Sequence, residues 1–214
     1  LHVRSRRQRQ MCIRDRPATV CPDKQDGICC PHGNLNFLPW HRLYMVNTEQ
    51  MLNKALPYWD WTELGEVPDL WESISAPFKA PYTSFHPDNK LCQCTDNTHL
   101  RRKNKIQIYK HVLKVKIQLA LEETNFDEFT DALEVPHDGI HGYMGCDMTK
   151  LQSSSYDPIF YLHHAYIDYV FAYWQELQTL RGLSVEMSFL DQTMEPFNRP
   201  DTVSYTHLTL PTTP

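Results

Sequence analysis

The chain reads as mainly α: a four-helix bundle core joined by long irregular loops. Three stretches predict it. His137 and His141 stand four apart in PHDGIHGYMG, which places both side chains on one face of a helix. In PIFYLHHAYIDYVFAYWQ and the residues that follow, His164, Ile167, Phe171, Trp174 and Leu177 recur at helical spacing. From Ile106 to Glu123 lysines interleave with apolar residues, and Ile108, Val112, Val115 and Leu119 form a stripe expected to face the core.

The 214 residues give room for one domain with a substantial core. A net charge of -5 and the lack of any basic stripe argue against a nucleic-acid partner. No apolar run reaches the ~18 residues that a membrane span needs. Seven cysteines point to an oxidising compartment.

Taken in order, residues 1–16 carry six arginines and no apolar core, so they are not a secretory signal. Residues 201–214 are rich in Thr, Pro and Leu and lack a helical period. Both tails are expected to be foreign to the domain, which then spans 17–200 and is truncated at its N-terminal end. Pro39, Trp40 and His41 open a helix running to about Lys54, with Trp40, Tyr44 and Met51 available for packing. LPYWDWT (56–62) reads as core and turn; Asp60 would need a buried partner there, and Arg42 is the expected one. Residues 63–104 read as a surface loop, with His86 and His99 solvated and the pairing of Cys92, Cys94 and Cys146 undecided. His111, on the supporting helix, is expected at the surface. Acidic residues of 125–134 precede the HxxxH helix, and Asp157 followed by Pro158 is a strong start for the last one.

His164 projects among large apolar residues, as His137 and His141 do from a neighbouring helix. Neutral imidazoles converging in a dry interior form a metal site, suited to copper, zinc, iron or nickel. Upstream, His32 in a loop and His41 on a helix supply a second cluster, which suggests two metals.

CCPHG, FLPWHRLY, LPYWDWT, HDGIHGYMG and DPIFYLHHAYID together resemble, in order and spacing, the coupled binuclear copper proteins: tyrosinases, catechol oxidases and molluscan haemocyanins. The resemblance runs from about Cys21 to Pro200. It implies a four-helix core holding a dinuclear copper site, with two copper ions as cofactors. His32 and His41 would serve the first copper, and His137, His141 and His164 the second. Of the adjacent pair the family uses the second, so His163 is expected to face the other way. The family's first copper takes a further histidine from an earlier helix. Only His2 precedes His32 here, inside the suspect tail, so the first site is expected to lack one ligand.

Cys30, two before His32, matches a family cysteine joined to that histidine as a thioether, and Cys29 would then pair with Cys21. Three unlinked thiols or a small structural bridge remain the alternative. Glu134 falls where several family members place a carboxylate that orients a water for deprotonating phenol. Asp138 stands where asparagine is common, which puts that arrangement in doubt; each carboxylate also reads as a helix N-terminal charge. The implied activity is oxidation of mono- and diphenols to o-quinones with dioxygen. Reversible dioxygen transport or an inactive fragment are the alternatives. Partners would be a phenolic small molecule and dioxygen, and cysteines and family together imply a secreted protein.

Overall fold

The computed structural model describes residues 29–64, 98–152, 154–157 and 159–184, together with 193, 194, 197, 199 and 200. For 98–107, 146, 147, 156, 193, 199 and 200 only the backbone is described. Both tails, His2, Cys21, His86, Cys92 and Cys94 lie outside the described residues, as do the side chains of His99 and Cys146.

Among the described residues there are four helices: α1 (Phe37–Leu52), α2 (Thr98–Glu122), α3 (Phe126–Met144) and α4 (Ile159–Leu180). Short 3-10 turns at Cys146–Thr149 and Ser154–Tyr156 join α3 to α4. Two-residue strands, β1 (Thr193–Met194) and β2 (Arg199–Pro200), pair antiparallel with Thr193 opposite Pro200. The fold is mainly α, as the sequence predicts. α1 packs on α4 and α2 on α3, while α4 also touches α2 and α3.

Local chemistry sets each helix end. At α1 the Asn34 side chain accepts from the Asn36 N–H (3.0 Å), and Pro39 falls in the first turn, where no intrahelical partner for an N–H exists. Asn53 ends α1 in the left-handed conformation (φ 52), which asparagine tolerates. Asn125 caps α3, its side chain accepting from Asp127 N (2.7 Å) and Glu128 N (3.4 Å). Asp157 Oδ1 accepts from Ile159 N (3.2 Å) at the start of α4, the capping role expected of it.

α1 is buried on nearly every side from Phe37 to Val46, as befits a central helix. Trp59, Trp61 and Trp174 are fully enclosed. Trp174 stacks on Phe129 (4.3 Å, 8°) and donates to the Glu123 carbonyl (2.7 Å). Phe197 of the hairpin packs on Trp40 (5.4 Å).

Four expectations need correction. The α2 stripe is reversed: Ile108, Val112, Val115 and Leu119 are exposed, and Leu113, Ile117 and Ala120 face the core. Apolar residues recur at helical spacing on both sides of this helix. Lys110, Lys114 and Lys116 are half-buried while the apolar stripe is exposed, so charge did not mark the wet face. That helix also begins at Thr98, inside the stretch read as loop, and Met51 is 47% exposed rather than packed. Finally, Arg42 does not reach Asp60. It pairs with Asp168 on α4 (2.5 Å), donates to Gln175 (3.0 Å) and lies over the Phe171 ring (4.0 Å). Asp60 instead accepts from Thr62 N (2.9 Å), Thr62 Oγ1 (2.6 Å) and Glu63 N (3.2 Å), closing its own turn.

The Arg42–Asp168 pair pins α1 to α4 in a dry interface. Arg42→Ala leaves the Asp168 carboxylate buried without its counter-charge, and denaturant unfolding should show a loss of about 3–5 kcal/mol. The double variant Arg42→Met, Asp168→Leu should recover most of it.

Candidate metal centre

Five histidines of two sequence clusters meet around one cavity of ≈ 240 Å³. His41 comes from α1, His137 and His141 from α3, His164 from α4, and His32 from the loop before α1. The His41 ring stacks on His164 (4.4 Å, 7°), and His32 lies 5.3 Å from His41 and 5.6 Å from His137, centroid to centroid.

Hydrogen bonds decide which nitrogen of each ring faces inward. His41 Nδ1 lies 2.8 Å from the Phe37 carbonyl oxygen, and His141 Nδ1 lies 2.7 Å from that of Met148. His137 Nδ1 lies 2.9 Å from Asp138 Oδ1. Carbonyl and carboxylate oxygens only accept, so in each ring Nδ1 carries the hydrogen and Nε2 is left with a lone pair. His141 Nε2 is 3.1 Å from His137 Nε2 and 3.3 Å from His164 Nε2. Bare lone pairs repel at that distance unless a cation stands between them. Nitrogens sharing one ion at ~2.0 Å from the metal lie roughly 3–3.5 Å apart. The donor set and its outer acceptors therefore fit a metal ion.

Electrostatics keeps these rings neutral. Burial pushes His41, His137 and His164 well below the ordinary imidazole range, with neighbouring rings adding to it. His141 is lowered to about 4, by burial first, with the Met148 carbonyl opposing. His32 is lowered by burial too, against the Cys30 backbone.

His163 is the feature that sequence reasoning missed. It does not face away: its ring is fully buried and stacks on His137 (5.1 Å, 18°). Ligand atoms of His137, His141, His163 and His164 all lie within 4.8 Å of one another. A second such group is His32, His137 and Asp138. His111 is exposed, as expected.

Glu134 is buried behind the cavity wall, both carboxylate oxygens 2.9 Å from the Gly33 N–H, so it ties α3 to the His32 loop. Its pKa is raised to about 7, by burial first, with the Gly33 N–H opposing. Asp138 lines the cavity with its side chain 66% exposed, and the partial desolvation of its inner side raises its pKa. Cys30 is buried beside His32 and lies outside any disulfide, whereas Cys29 is disulfide-bonded, its partner falling outside the described residues.

A helical core presenting a buried, neutral, outwardly braced imidazole cluster is a metal-binding domain. Residues 4–177 match the tyrosinase family profile, described as the common central domain of tyrosinase, and the chain belongs to that family. It is 35% identical over 190 residues to the Enteroctopus dofleini "Hemocyanin G-type, units Oda to Odg", covering 77% of this chain and 6% of that one. To the Helix pomatia "Hemocyanin, beta-C chain unit G" it is 35% identical over 198 residues, covering 82% of this chain and 46% of that one. The solved "Functional Unit from Octopus Hemocyanin" superposes with a TM-score of 0.65 at 28% identity, covering 91% of this chain and 53% of that one. The chain thus spans less than half the length of these curated relatives.

The buried histidines predict the acid behaviour of the metal-free protein. Their folded pKa values are depressed below 6.5, so under mildly acid conditions the unfolded chain binds more protons than the folded one. Stability should fall from about pH 6.5 downward, each such histidine adding up to ~1.4 kcal/mol per pH unit. Thermal melts across pH 7 to 5 will check it, His164→Gln giving a shallower slope than the parent.

Proposed function

We propose that the chain holds a pair of copper ions and binds dioxygen there, with His137, His141 and His164 holding one ion and His32 and His41 the other. The observation that carries this is the approach of three imidazole Nε2 atoms within 3.1–3.3 Å, the outer nitrogens of His137 and His141 being held by oxygen acceptors. Bound copper would supply the electrons that dioxygen takes up, which imidazole ligation suits. The protein's share is positional. Met148, Phe37 and Asp138 fix ring orientation, the aromatic core excludes water, and Glu134 holds the His32 loop against α3.

The haemocyanin relatives favour reversible dioxygen binding. Oxidation of phenols to o-quinones is a second reading, favoured by a cavity of ≈ 240 Å³ whose lining includes Asp138, Gly142, Thr149 and the exposed Leu151. In that reading Glu134, behind the cavity wall, orients a water that takes up the phenolic proton, and Asp138 shapes the surrounding network. A Cys30–His32 thioether and a Cys21–Cys29 disulfide belong to the same proposal, as does secretion; no described helix is long and apolar enough to cross a membrane.

Copper-loaded protein should gain a near-ultraviolet band on oxygenation. A band that reverses under argon, with no quinone from catechol, marks a carrier, and quinone formation marks an oxidase. Two bound coppers with no oxygen-dependent band would overturn both readings. Asp138→Ala, which frees His137 Nδ1, should weaken copper binding about 10–100-fold by competition titration.

A further inference from the structure

Two adjacent histidines, 163 and 164, offer nitrogens to the same cluster, yet a ring binds a metal only through an unprotonated nitrogen. Trp61 Nε1 lies 3.1 Å from His163 Nδ1. An indole N–H can only donate, so His163 Nδ1 must accept, and in the neutral ring the hydrogen then sits on Nε2. This is the reverse of His41, His137 and His141, whose Nδ1 atoms face oxygens. His163 Nε2 has no hydrogen-bond partner among the described residues. His164 is unconstrained in this way: its Nδ1 is buried without a partner, and its Nε2 meets that of His141.

Trp61 is well placed to impose such a choice. It is fully buried, packs edge-on to Tyr166 (5.0 Å, 72°), and its backbone N–H donates to the Trp59 carbonyl (3.0 Å). Trp59 N in turn bonds the carbonyl of Leu162, the residue before His163 (3.0 Å). The aromatic stretch is thereby stitched to α4 at the adjacent-histidine pair. In the other tautomer, two N–H groups would confront each other in a dry interior, both unsatisfied.

We propose that Trp61 locks His163 in its Nε2–H tautomer and so bars it from the metal, leaving His164 as the ligand from α4. Trp61 is thus a positioning residue that selects between neighbours. The exclusion rests on the copper reading above; the tautomer does not.

Nitrogen-15 NMR of metal-free, histidine-labelled protein tests the lock, with His163→Gln assigning the resonance. His163 should be Nε2–H, and His41, His137 and His141 Nδ1–H. Trp61→Phe should raise the Nδ1–H population of His163 about tenfold, as loss of one ordinary hydrogen bond does. With copper(II) added, His163→Gln should bind within twofold of the parent, while His164→Gln should lose at least tenfold. Pulsed EPR should count the same coordinated imidazoles in the parent and in His163→Gln. An Nδ1–H assignment for His163 in the unsubstituted protein, which requires no variant to fold, overturns the lock. Equal copper loss in the two glutamine variants overturns the exclusion. If the parent binds no copper while His163 is Nε2–H, the copper reading and the exclusion both fall and the tautomer assignment stands.

Discussion

The position of one hydrogen on each buried imidazole is the constraint on which the centre depends. Six histidines gather in or around a space that excludes water, and none can afford a charge there. A neutral imidazole has one bare nitrogen, and its direction is fixed by what the other nitrogen touches. Oxygen acceptors behind His41, His137 and His141 turn the bare nitrogen inward, and an indole donor behind His163 does the opposite. The chemistry of the cavity is therefore set from outside it.

The scaffold holds those outer partners in register. α1 carries both Phe37, whose carbonyl braces His41, and Arg42, whose buried pair with Asp168 fixes α1 against α4. The aromatic stretch around Trp59 and Trp61 runs beside α4 and bonds to its backbone. Glu134 connects α3 to the loop that bears His32. The first and last of these tie two elements that both contribute imidazoles, and the second holds α4 alone, so a shift in one would misdirect the others.

The helical architecture and five converging histidines were legible in the sequence because their signals are local: i,i+4 spacing, the cap at Asp157, and motif order, whereas the Asn125 cap of α3 was not read. What was not legible depended on tertiary choice. Arg42 had two carboxylates to choose from, and Asp60 satisfied itself within its own turn. On α2 both faces carry apolar residues at helical spacing, and half-buried lysines blur the boundary. His163 looked like a bystander because nothing in a dipeptide shows which way two neighbours on a tightly packed helix will lean. The tryptophan of WDW was visible, but its hydrogen bond across 102 residues was not.

The braces behind the rings differ in how they can be altered by inheritance. His41 and His141 lean on main-chain oxygens, of Phe37 and Met148, which persist whatever side chain occupies those positions. His137 leans on a side chain, Asp138, that one codon change can shorten, neutralise or lengthen. Variation among such domains in how readily the metal gives up electrons would then concentrate at that one position, where a mutation can act without dismantling the rest.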